Sequence, residues 1–249
     1  MKFLITLVAL FLSSNILLAQ DANTLIAEGQ KLETAMDEKA ALSKYKEVLK
    51  IAPQNLIALT RCSEICSATG NRETTSKTRD AYFNAAILYA QTAYKLYPES
   101  DLSNVSMAIA VGRIVLRKSG KEKIASVKDL KAYADKAVKV NPNNFRAWHI
   151  LGKWNYEVSN LTAFERTAAK LLFGSLPTAS FTTAVSCYEK AKAINGAFVV
   201  NYLELARAYK KNGDNVKAKV ALNTMLGIKN GTLDDVNAKE EGKLMLAKF

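Results

Sequence analysis

Residues 201–226 read NYLELARAYKKNGDNVKAKVALNTML. Tyr202, Leu205, Ala206 and Tyr209 recur at helical spacing and share one stripe of a predicted helix. Asn212-Gly213-Asp214 then breaks the pattern with three residue types that favour a turn. Ala218, Leu222 and Met225 resume the stripe, so a second helix is expected to fold back on the first. Small side chains at Ala206 and Ala218 allow the two helices to approach closely, and Tyr202, Tyr209 and Leu222 fill the space around that contact.

Large-x2-Leu-small-x2-Tyr followed by Ala-x3-large is the pattern of a tetratricopeptide hairpin of about 34 residues. It occurs again in Leu25, Gly29 and Leu32, followed by Ala41, Tyr45, Val48 and Pro53. The end of that second helix, Lys50-Ile51-Ala52-Pro53-Gln54-Asn55, returns as Lys95-Leu96-Tyr97-Pro98-Glu99-Ser100 and as Lys139-Val140-Asn141-Pro142-Asn143-Asn144. Proline closes each helix because it lacks the N–H and clashes with the preceding turn. Ala193-Ile194-Asn195-Gly196 takes the same place without Pro. Five hairpins follow, over residues 22–55, 56–100, 101–144, 145–198 and 199–229, with Asp234 to Lys248 as a final capping helix. The predicted class is all-α: a tetratricopeptide-like right-handed superhelix in a single domain over residues 21–249.

The fourth unit departs from the period. Trp148, Leu151 and Gly152 open a good first helix, but the second, carrying Ala184, Tyr188 and Ala191, starts only after an insert near residues 160–181. Ala163 to Leu172 is read as a helix, Phe173-Gly174-Ser175-Leu176-Pro177 as a break, and Thr178 or Ser180 as the next cap. Phe164, Leu171, Leu172, Phe173, Leu176 and Phe181 are too apolar for an ordinary solvated loop. They are expected to plug the concave face or to line a pocket there.

The stretch from Asn141 to Asn195, with Trp148-His149-x-Leu151-Gly152-x-Trp154, the Phe173-Gly174-x-x-Pro177 break, and Ala184 with Tyr188, resembles the regulator of microtubule dynamics protein family. The resemblance extends more loosely over the rest of the chain as degenerate repeats. It implies the repeat fold, and it marks His149 as a family position, suited to a buried hydrogen-bonded residue or to a ligand site. The family name implies microtubules, which an exported chain would not meet, so the resemblance is taken for fold and not for that partner.

Export is expected from the first twenty residues. Lys2 is followed by an apolar run from Phe3 to Leu12 and then by Ser13, Ser14 and Asn15, the layout of a cleavable secretory signal, with cleavage after Ala19 or Gln20. The run is shorter than the roughly 20 residues of a spanning helix, and no later segment is apolar enough to be one. A periplasmic or secreted location follows. With 49% hydrophobic and 23% charged residues, 11 Gly and 4 Pro, the chain buries a core and is neither disordered nor collagen-like.

Little material for catalysis is present. The one histidine, His149, lacks any Ser-His-Asp or HExxH spacing around it. Cys62 and Cys66, one turn apart, are too few for a structural zinc and badly placed for a disulfide, and they read as small core residues, as does Cys187. No enzyme, cofactor or metal is expected. Asn104-Val105-Ser106, Asn160-Leu161-Thr162 and Asn230-Gly231-Thr232 match the glycosylation acceptor pattern, relevant only in a eukaryotic source.

A net charge of +12, with basic runs at Arg117 to Lys123 and at Lys210-Lys211, suits an acidic peptide or anionic surface. Nucleic acid is not expected after export and without basic residues interleaved with aromatic ones. The leading expectation is therefore a scaffold holding a protein or peptide in its concave groove, with Trp148, His149, Trp154, Phe173, Asn201, Tyr202, Arg207 and Lys210 as candidate groove residues. The alternative is an apolar-ligand or lipid carrier using the Phe164–Phe181 insert.

Overall fold

A computed structural model describes residues 21–115, 120–173 and 178–249. The signal segment, Arg117-Lys118-Ser119 of the basic run, and residues 174–177 of the break lie outside the described residues. All regular structure among the described residues is helical. In chain order the helices are α1 (21–34), α2 (Glu38–Ile51), α3 (Leu56–Arg72), α4 (Ser76–Leu96), α5 (Asp101–Val115) and α6 (Gly120–Val140). They continue with α7 (Phe145–Ser159), α8 (Ala163–Phe173), α9 (Phe181–Ile194), α10 (Val199–Lys211), α11 (Asn215–Gly227) and α12 (Leu233–Leu246).

The helix boundaries follow from local chemistry. Asp37, Asn55, Thr75, Asn144, Ser180, Asp214 and Thr232 each accept a hydrogen bond from the backbone N–H three residues on, satisfying a donor that the helix start leaves free. α2, α4 and α6 end two residues before Pro53, Pro98 and Pro142. Gly213, at φ +86, takes the left-handed conformation that the turn between α10 and α11 requires. Thr232 and Asp235 form a reciprocal capping box at the start of α12.

Packing follows the hairpins. α3 with α4, α5 with α6, α7 with α9 and α10 with α11 are the most extensive contacts, and α12 closes the array against α10 and α11. Each pair meets where a small residue faces a large one. A Cβ on Gly29 would stand 2.8 Å from the Tyr45 ring, and one on Gly152 would stand 2.6 Å from the Tyr188 ring. Ala206 with Ala218, Leu222 and Met225, all fully buried, makes the equivalent contact in the last hairpin. Gly152 and Tyr188 are 36 positions apart, so α7 skips α8 and pairs with α9 as though the insert were absent.

The insert itself departs from expectation. α8 packs on α6, the second helix of its hairpin, with Ala169 buried. Phe164 and Leu171 are 82% and 80% exposed, so these two side chains neither plug the row of first helices nor line a pocket in it. An 11-residue helix tethered at both ends has reached the outside of the array, because the α7–α9 contact already fills the space between its anchors. Phe181 does pack inward, edge-on against Tyr156 at 5.6 Å. The three cysteines are free and buried, and burial pushes the Cys62 thiol up to about 12 and that of Cys66 to about 11.

Candidate functional site

The first helices of the second to fifth hairpins, α3, α5, α7 and α10, lie side by side. Beside apolar contacts such as Ala108 with Leu151, ion pairs and hydrogen bonds join them. Arg61 on α3 bridges Glu33 of α1 and Glu64 of its own helix, and Arg146 on α7 stands 3.9 Å from Glu64. Arg113 on α5 donates to Asn71 Oδ1 of α3 at 2.8 Å. Arg72, at the end of α3, bridges Glu38 of α2 and Asp234 of α12, tying the second hairpin to the capping helix.

The densest part of this row lies between α7 and α10. Helical spacing puts His149, Lys153 and Glu157 on one stripe of α7, opposite Asn201, Glu204 and Arg207 of α10. His149 Nδ1 is 3.0 Å from Asn201 Oδ1, and Asn201 Nδ2 donates to the Tyr188 carbonyl at 2.9 Å. With its amide oriented in that way, Asn201 Oδ1 accepts a hydrogen bond from Nδ1–H, which leaves Nε2 as the imidazole's acceptor. Tyr188 and Phe198 enclose the ring at centroid distances of 5.4 and 4.9 Å. This crowding lowers the His149 pKa despite its hydrogen bond to Asn201 and the charge of Glu204, and favours the neutral ring.

Glu204 joins the two helices. Its Oε1 accepts from Lys153 at 3.1 Å and from Arg207 at 3.0 Å, and Arg207 reaches on to Glu241 of α12. Burial by itself would raise the Glu204 carboxyl, but Lys153 and Arg207 outweigh it, and the net shift is downward, so Glu204 is an anion. The residue is 7% exposed, and its buried Oε2 has no hydrogen-bond partner among the described residues. The Tyr188 hydroxyl is likewise buried without a partner. Two such oxygens near one another are unusual, because each costs about 1–3 kcal/mol if left bare.

The candidate residues read from the sequence divide into two sets. His149, Asn201 and Arg207 come together in this α7–α10 cluster. Trp148 donates to the Pro142 carbonyl and carries Lys190 over its ring at 4.1 Å, which places it at a helix corner. Trp154 is buried, with its indole N–H on the Val127 carbonyl of α6, and Tyr202 is buried with its hydroxyl on the Gly196 carbonyl. Both are walls of hairpin packing. Lys210 sits over the Phe249 ring at the C-terminal end of the array, and the Phe173 side chain lies outside the described residues. Lys153, Glu204 and Arg113 were not singled out by the sequence; their signal was position on the same helical stripe as His149 and Arg207, or on the equivalent helix one repeat earlier. Of the glycosylation patterns, Asn104 is fully buried and donates to the Pro98 and Ser100 carbonyls, which makes it a structural residue.

Comparison with known proteins agrees with this layout. The family model of regulator of microtubule dynamics protein 1-3 matches residues 25–249. The chain belongs to this family. It is 29% identical over 160 residues to regulator of microtubule dynamics protein 1 of Caenorhabditis elegans, covering 64% of the chain and 71% of the worm protein. It is also 29% identical over 147 residues to regulator of microtubule dynamics protein 3 of Rattus norvegicus, a match that takes in 59% of the chain but only 31% of the rat protein. A thermophilic TPR protein of Thermus thermophilus superposes with a TM-score of 0.63 at 16% identity, over 90% of the chain and 99% of that protein. Membership of the family and the tetratricopeptide-like fold therefore stand together. No helix among the described residues is long and apolar enough to cross a membrane.

Proposed function

We propose that the protein is a non-enzymatic scaffold that binds a protein or peptide along the row formed by α3, α5, α7 and α10. The observation that carries this reading is the α7–α10 cluster. Its anion, Glu204, is almost wholly buried and holds Lys153 and Arg207, whose side chains stay 45% and 33% exposed, at fixed positions on the row. A carbonyl or carboxylate of a bound segment would accept from the spare N–H donors of these two side chains, and stacked hairpins provide an extended surface for such a segment. A general base needs a substrate-positioning cleft and a partner nucleophile. Around His149 stand an amide, two aromatic rings and an ion-paired carboxylate instead.

The test is selection of peptides from a random dodecapeptide display library on the purified protein, followed by titration of the resynthesised peptides. Lys153→Ala and Glu204→Gln are expected to weaken them at least about ten-fold, the size of one charge-assisted hydrogen bond. Binding unchanged in both variants, with both still folded, refutes the placement. The scaffold is further proposed to act after export, on the strength of the Lys2 and Phe3–Leu12 layout. Sequencing the N-terminus of protein recovered outside the cytoplasm should then give a start at Gln20 or Asp21.

A further inference from the structure

Five cations on or beside the first-helix row already have carboxylates: Arg61, Arg72, Arg146, Lys153 and Arg207. Arg113 differs. Its single hydrogen bond goes to a neutral amide, Asn71 Oδ1 at 2.8 Å, and no carboxylate pairs with it among the described residues. A guanidinium carries five N–H donors in a planar fork suited to a carboxylate or phosphate, so most of its capacity is unused. Asp234, the nearest source of negative charge, is already held by Arg72 at 2.5 Å, and Arg72 adds like-charge repulsion. Crowding by protein atoms lowers the Arg113 pKa, yet the side chain is partly exposed, so a bound group can reach its spare donors. Arg113 is also close enough to His149 to act on it electrostatically, which places it next to the α7–α10 cluster.

We propose that Arg113 is the anion-receiving position of the row, and that a bound peptide sets an acidic side chain on it. The assignment rests on the peptide-binding reading above. A partner of this chemistry also complements a chain of net charge +12.

Two measurements test it. Peptides selected on the protein are resynthesised with each Asp or Glu changed to Asn or Gln and titrated against wild type, Arg113→Gln and Arg113→Lys. One acidic position should matter by about 10- to 100-fold for wild type, the range of a charged hydrogen-bonded pair. Arg113→Gln should bind acid and amide forms alike, and Arg113→Lys should recover part of the preference. Without peptide, Arg113→Gln should melt at or above wild type, since it removes an unpaired charge and keeps a donor for Asn71, whereas Arg72→Gln should melt lower. Equal binding of acid and amide forms by wild type overturns the assignment and leaves the scaffold reading intact. Failure to select any peptide overturns both. A fall in melting temperature for Arg113→Gln as large as for Arg72→Gln shows a structural cation and also overturns it. So does Arg113-dependent binding of inorganic phosphate or of phosphatidylglycerol vesicles without binding of any acidic peptide.

Discussion

Gly152→Ala tests whether the fourth hairpin is closed across its insert by one small-on-large contact. The added Cβ would lie 2.6 Å from Tyr188 Cδ1 and 2.9 Å from Cγ, against a fully buried ring rather than the free end of a flexible chain. Overpacking of this kind costs about 1–3 kcal/mol, and a contact this short belongs at the upper end. Replacing Gly by Ala inside a helix returns about 1 kcal/mol. The net expectation is a loss of about 2 kcal/mol, or a fall in melting temperature of about 4–8 °C for a chain of this size. Differential scanning calorimetry on Gly152→Ala and on Gly227→Ala measures it, the latter because nothing lies within 4 Å of its added Cβ. Gly227→Ala should be neutral or stabilising. The double variant Gly152→Ala/Tyr188→Leu copies the Ala206–Leu222 pair of the last hairpin and should melt above Gly152→Ala alone. A Gly152→Ala protein as stable as wild type would show that α7 and α9 do not meet through Gly152, and the description of the fourth hairpin would fall.

Three further outcomes follow from groups in the same region. Tyr188→Phe removes a buried hydroxyl with no partner among the described residues and should be neutral or stabilise by up to about 1 kcal/mol in urea denaturation; a loss above about 1 kcal/mol would mean that the hydroxyl is satisfied. Burial lowers the folded-state pKa of His149, so the unfolded chain takes up that proton first as pH falls. Stability attributable to His149 is thus full above its unfolded pKa of about 6.5 and is lost as pH drops below it. Wild type should therefore lose more melting temperature than His149→Gln between pH 7.5 and 5.5, and parallel losses would contradict the assignment. Arg72→Ala removes the bridge between Glu38 and Asp234 and should cost about 1–2 kcal/mol, between the exposed and buried limits for ion pairs. Hydrogen exchange should then speed up in α12, and unchanged protection there would show that the bridge does not hold the capping helix.

The hairpins were legible because their determinants are local in sequence. A small residue, a large residue about sixteen positions later and a capped turn between them fix one unit, as with Gly29 and Tyr45. Even the interrupted unit could be read, since Gly152 and Tyr188 keep their chemistry on either side of the insert. What α8 packs against was not legible. Its run of apolar residues implied burial, but burial depends on which neighbour has space, and the α7–α9 contact leaves none between the two helices. The exposed Phe164 and Leu171 are the result.

The polar row was legible only in part, and for a related reason. Arg207 and His149 drew notice as individual residues, whereas the row is joined by partners far apart in sequence: Asn201 is 52 positions from His149, Glu241 is 34 from Arg207, and Asp234 is 162 from Arg72. No period in a single sequence reports which charge meets which. The repeat does, however, fix which positions face one another once the helices stack. It brings Lys153 to Glu204 and leaves Arg113 opposite Asn71, which has no charge to offer. Within a network in which the surrounding arginines are neutralised, a partly exposed guanidinium bonded only to an amide keeps donors for a ligand. This makes Arg113, which carried no motif in the sequence, the more informative residue for function, and His149, which carried the strongest one, the more informative for how α7 is held against α10.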